Sequence, residues 1–251
     1  MGVLPKAAPT PLLALLLAVL LLASGCGSAP GKSPPQGVDG LQIPTPSPDP
    51  DDFVDAIDNP YLPLVPGSTW VYEATGEESE TITVTVTDET REILGVPTTV
   101  VHDVVTGPGG EIIEDTYDWF AQDTEGNVWY FGEETVEYDE RGRPDRAGSW
   151  EAGVDGALAG LVMAATPRVG DGFRQEFFEG VAEDRAEVLS LDETVEVPFG
   201  TFDDVLQTED TTPLEPDLVE HKYYARGVGV VLEETLAGGQ GRVELVEFSR
   251  G

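Results

Sequence analysis

From about residue 59 onward, apolar and polar positions alternate with a period close to two. Residues 81–87 (TITVTVT) alternate strictly, placing Ile82, Val84 and Val86 on one face and threonine hydroxyls on the other. That is the pattern of a half-buried strand. Trp70 and Tyr72 share a face in the preceding segment. Residues 98–106 are rich in β-branched side chains and end at Gly107-Pro108-Gly109-Gly110, and 111–120 and 127–131 follow as a hairpin around Gly126. The segments 173–178, 182–190, 194–197, 205–208, 219–225, 228–234 and 242–248 read likewise, punctuated by Pro198-Phe199-Gly200 and the glycine-rich run 237–241. Roughly ten short strands with little helical periodicity predict a mainly β fold, an antiparallel half-barrel or sandwich with at most one or two short helices. A short helix is expected only over 153–165 (GVDGALAGLVMAA), where glycines weaken it. One β-rich domain is expected over 59–251.

The N-terminal region follows other rules. Lys6 gives a positive start, and residues 12–23 (LLALLLAVLLLA) then run without a polar side chain. Twelve residues make about 18 Å of helix, short of a hydrocarbon core of about 30 Å, and suit the apolar region of a signal peptide. Ala23-Ser24-Gly25-Cys26 ends in the single cysteine of the chain. This tetrad resembles the lipobox of bacterial lipoproteins, although Ala23 stands where that family prefers leucine. The resemblance implies cleavage after residue 25 and a Cys26 thiol carrying diacylglycerol, with palmitate as an expected acyl chain. Two acyl chains bind a membrane stably where one does not. Between Gly27 and Asp52 stand Pro30, Pro34, Pro35, Pro44, Pro46, Pro48 and Pro50. Such a stretch favours extended conformers and spans at most roughly 80 Å. The organisation expected is a signal peptide over 1–25, a lipidated cysteine with a Pro-rich spacer over 26–58, and the β domain beyond. The location expected is the extracytoplasmic face of the cell membrane, within the cell envelope.

Three stretches of the domain resemble exported bacterial envelope proteins of unassigned function: residues 59–72 (NPYLPLVPGSTWVY), 197–202 (VPFGTF) and 221–229 (HKYYARGVG). Other exported lipoproteins form curved antiparallel half-barrels, some of which carry lipids. By analogy this implies a half-barrel and leaves lipid carriage as an expectation to test.

Charge narrows the partners. With 48 acidic against 13 basic side chains, the formal charge of −35 repels phosphates, so nucleic acid is not expected. A lone cysteine rules out an internal disulfide framework and any multi-thiolate zinc site. Residues 49–54 (DPDDFV) fail as a calcium loop, because Phe53 and Val54 replace a ligand and the turn glycine. The acid-rich run 111–118 lacks calcium-loop spacing and reads as a solvated face. Arg141, Arg143 and Arg146 sit at a Gly/Pro turn among acids that can neutralise them. His102 and His221 both fall on predicted strands, and spacing does not place them together. There is no G-x-S-x-G, no H-E-x-x-H and no phosphate-binding glycine loop. No catalytic residue, metal ligand or cofactor is therefore assigned.

The aromatic side chains carry the remaining signal. Trp70, Tyr72, Tyr117, Trp119, Trp129, Phe131 and Tyr223 lie on predicted strands, where they fill a core or line an apolar pocket. The function expected is a membrane-anchored, non-catalytic binding module for a lipid or other apolar ligand. A protein-interaction module of the envelope stands second, and a carboxylate-based hydrolase third.

Overall fold

The computed structural model describes residues 37–76, 79–139 and 141–251. The expected signal peptide, Cys26 and the first part of the expected spacer lie outside the described residues. β1 (Phe53–Val54) precedes a first meander of β2 (Thr69–Thr75), β3 (Glu80–Ile93), β4 (Val96–Thr106), β5 (Ile112–Asp123) and β6 (Val128–Tyr138), and it pairs with β5. Two short strands, β7 (Pro144–Asp145) and β8 (Trp150–Glu151), add to β6, and β9 (Leu158–Met163) extends the sheet beyond it. After β10 (Gly172–Arg174) and β11 (Glu176–Phe177) comes a second meander. It contains β12 (Arg185–Val197), β13 (Gly200–Thr211), β14 (Val219–Ala225), β15 (Gly229–Ala237) and β16 (Gly241–Ser249).

Every strand pairing is antiparallel, and the two meanders are joined by β16 along β2, with Trp70 opposite Phe248. The opposite side is closed by one short segment. β10 pairs with β12 while β11, one residue later, pairs with β9, so the ends of the sheet meet on either side of Gln175. The result is a nearly closed barrel-like sheet. The half-barrel expectation fits this curvature better than a sandwich does, because the strands form one continuous sheet.

The seam depends on close approach. Gln175 accepts no side chain above it: a Cβ on Gly160 of β9 would lie 2.2 Å from the Gln175 carbonyl oxygen. Overpacking of this kind costs about 1–3 kcal/mol. We expect Gly160→Ala to lower stability by about 2 kcal/mol in urea unfolding, while Gly172→Ala, whose nearest neighbour would be 3.9 Å away, changes it far less.

Two sequence expectations are corrected. The helix expected over 153–165 is instead a turn leading into β9. Ala159, Leu161 and Met163 are fully buried and Gly160 meets the seam, so both faces of the strand are covered and the alternation of a half-buried strand is missing. Residues 37–58, expected to belong to an extended spacer, instead lie along the barrel. Thr45 bridges to Ala159, β1 pairs with β5, and Ile57 bridges to Leu64. Val38, Leu41, Ile43 and Phe53 pack on the core, and Phe53 meets Phe131 edge-on at 5.6 Å. Proline suits this arm because an arm bonded at intervals leaves few amide groups requiring partners.

Candidate functional site

Strand alternation divides the barrel wall into two chemistries. On β2 to β4, the inward positions are Trp70, Tyr72, Ile82, Val84, Val101 and Asp103. Phe120 of β5, Val162 of β9, Val230 of β15 and Val243 of β16 add to the apolar wall. Together they line a cavity of about 340 Å³ inside the barrel. Trp70 and Tyr72 are held by their polar ends, Trp70 Nε1 donating to the Val228 carbonyl at 2.8 Å and Tyr72 OH to that of Val230 at 3.0 Å. Their rings are thereby fixed against the apolar space.

The rest of the lining is charged. Asp103, Asp118, Glu176, Asp184 and Glu233 face the cavity with a single cation, Lys222. Lys222 of β14 lies 3.5 Å from Asp210 and 3.6 Å from Glu233, its register partner on β15. Burial works against its charge, but Glu233 and Asp210 prevail and hold the ammonium pKa well above its usual value. Asp210 is fixed by Thr208, whose hydroxyl donates at 2.5 Å, and by the Gln175 amide at 3.3 Å. The seam is therefore tied to the charged side of the interior.

A second acidic group has no such cation. Tyr130 donates to Asp118 at 2.5 Å and also lies 3.1 Å from Glu133. A β-bulge at 131–132 turns Tyr130 and Glu133 to the same side although they are three residues apart. Asp103 lies near this pair, and its Oδ1 is buried with no hydrogen-bond partner among the described residues. Burial raises Asp103 to about 8, and the charges of Asp118 and Glu114 add to the effect. Asp118 is pushed up to about 7 by burial against the lowering hydrogen bond from Tyr130. Burial also pushes Glu133 up to about 9 and Glu176 up to about 8.

The aromatic candidates separate along these faces. Trp70, Tyr72 and Tyr224 line the cavity, as do Phe120 and Tyr130, which strand spacing alone does not single out. Tyr117 stands on the outer face, stacked on His102 at 4.3 Å. Trp119 is buried under the Arg91 guanidinium, 4.1 Å away. Trp129 donates to Asp123 at 2.9 Å, and Phe131 meets the arm through Phe53. Tyr223 points outward to Gln207 and Glu234. The histidines are separated likewise: His102 Nε2 lies 2.7 Å from Asp115, and His221 pairs with Gln207 on β13. Arg143 pairs with Asp139 and Arg146 with Glu134 at exposed positions. Among the described residues, no group of three or more histidine, cysteine or acidic side chains is arranged to hold a metal ion.

No protein-family model matches the sequence, and no curated protein matches it. Solved structures similar to it include a "putative lipoprotein" from Parabacteroides distasonis ATCC 8503. That chain is 14% identical, with 78% of this chain and 100% of that one covered and a TM-score of 0.44. A "putative exported protein with YmcC-like fold" from Bacteroides fragilis NCTC 9343 is 15% identical over 78% of this chain and 100% of its own, with a TM-score of 0.42.

The interior charges are masked in the sequence by their neighbours. In 100–105 (VVHDVV), His102 is the rarer chemistry, yet Asp103 shares the Val101 face and so points inward. Read by alternation alone, the aspartate is the residue that breaks an apolar face.

Proposed function

We propose that this protein is an exported, lipid-anchored binding module that holds an amphiphilic ligand with an apolar body inside its barrel, and that it performs no chemistry. The observation that carries this reading is the cavity of about 340 Å³, walled on one side by Trp70, Ile82, Val84, Phe120 and Val243. Surface hollows of similar size lie elsewhere on the molecule, but this one joins a continuous apolar wall to a few polar groups. Ligand sites are concave, mostly apolar and fitted with a few polar groups, and this interior has that make-up. The sequence features at Cys26 support anchoring at a membrane surface.

The test is native mass spectrometry of the full chain, produced in a bacterial host that processes lipoproteins and released from membranes in mild detergent. A stoichiometric small molecule that survives detergent exchange and disappears on solvent extraction is the expected result. A bare lipoprotein mass, unchanged after incubation with envelope lipids, overturns the carrier reading and turns attention to protein partners.

A further inference from the structure

The cavity wall is unequal in charge as well as in polarity. Five carboxylates face it against one ammonium, and that ammonium is already shared between Asp210 and Glu233. Asp103 and Asp118 therefore have no protein cation of their own. They stand on neighbouring strands: Asp103 of β4 and Asp118 of β5 both line the cavity, with Val101 paired to Asp118 across the sheet. Asp118 has the Tyr130 hydroxyl, whereas Asp103 Oδ1 has no partner among the described residues. Two register steps carry the surface from Asp103 through Val84 to Trp70, so the carboxylate borders the apolar wall directly. Buried polar atoms are almost always satisfied, and a pair of carboxyls beside an apolar slot has room for a cation with a hydrophobic attachment that would let both ionise.

We propose that the cavity takes a cationic amphiphile, an alkyl ammonium whose charged head meets Asp103 and Asp118 and whose chain lies along the Trp70, Val84 and Val243 wall. This rests on the binding reading above and specifies its ligand class. The rings of Tyr72, Phe120 and Tyr130 line the same space and suit an ammonium, whose charge is attracted to aromatic faces. Anionic amphiphiles meet repulsion from the same carboxylates. Asp103 is faced by Asp118 and Glu114 of β5 and by the Tyr72 phenol of β2, while Asp118 is faced by Tyr130 and Glu133 of β6, Glu114 on its own strand and Glu176 of β11, with His102 acting on it from the outer face of the sheet. Raised carboxyl pKa values mean that ammonium binding draws protons off the site, so affinity grows with pH until both carboxyls are ionised.

The experiment is isothermal titration calorimetry of the full chain with decylamine, decanol and decanoate, repeated in buffers of different ionisation enthalpy. Expected is decylamine binding about tenfold or more tighter than decanol, with decanoate weakest and with proton release on amine binding. The amine preference should grow between about pH 6 and about pH 9, across the range in which Asp118 and Asp103 ionise. Asp103→Asn, which keeps the shape of the side chain, should abolish most of the preference, whereas Asp115→Asn on the outer face should not. If Asp103→Asn does not fold, the proton release of the unaltered chain decides. Equal binding of amine and alcohol without proton release overturns the cationic assignment and leaves the binding reading standing. Binding of none of the three overturns both.

Discussion

Acidifying the protein from about pH 9 to about pH 5 should raise its melting temperature by on the order of 10 °C. The cause is the set of interior carboxyls. Burial lifts Asp118 to about 7, Asp103 and Glu176 to about 8 and Glu133 to about 9, whereas an unfolded carboxyl titrates near 4. Between those limits the folded chain retains protons that the unfolded chain has released, so the unfolding free energy falls as pH rises. The contribution is complete below about pH 4 and is lost as pH climbs through the folded values. One pKa unit corresponds to about 1.4 kcal/mol. Relaxation and water reaching the cavity hold the combined effect to roughly 3–4 kcal/mol, or about 10 °C for a domain of this size. Paired surface acids act the other way. Asp39 and Asp139, lowered by Arg168 and Arg143, lose their stabilising charge only in strong acid, and both are exposed enough for solvent to weaken them. Thermal unfolding followed by circular dichroism across this range checks the expectation. A melting temperature that is flat or climbs toward pH 9 rules out neutral interior carboxyls, and Asp103→Asn should flatten part of the slope.

Lys222→Met should be among the most damaging single changes, at roughly 2–4 kcal/mol near pH 8. Removing one partner of a buried ion pair commonly costs 3–5 kcal/mol, because the remaining charge stays in a poorly solvated place. Here two carboxylates, Asp210 and Glu233, lose the ammonium they share. The lysine side chain is 28% exposed, which places the cost somewhat below that of a fully buried pair. Neutralising all three positions together, as Lys222→Met with Asp210→Asn and Glu233→Gln, should restore most of the stability. Urea denaturation of the single and triple variants decides. A single variant within about 0.5 kcal/mol of the unaltered protein means that the cluster is solvated rather than buried.

Local pattern made the strands legible and left their closure open. The alternation over 81–87 lies within β3, and the hairpin around Gly126 joins β5 to β6. What closes the barrel is not local: β16 finds β2 across most of the chain, and the seam is a single residue, Gln175, between two very short strands. β9 was hidden because Ala159, Leu161 and Met163 are covered on a strand whose other face also meets protein. Of the seven aromatic residues expected to line a pocket, Trp70 and Tyr72 do so, since both lie on the regular strand β2. For β6 the bulge at 131–132 reverses the facing of everything after it, and no spacing rule applied before the bulge is known can anticipate that.

The pairing of β16 with β2 also has a consequence for how the chain folds as it emerges. Trp70 emerges early and Phe248 almost last, yet they are neighbours in the sheet, with ring centroids 5.2 Å apart. Until the final strand arrives, the outer edge of β2 offers unpaired amides and carbonyls to any other strand nearby. Closure of this kind is slow because distant segments must meet before their contacts can form. A chain that emerges N-terminus first across the membrane therefore leaves a half-finished sheet waiting for its last strand, and the density of acidic side chains around it helps to keep two such intermediates from pairing with each other.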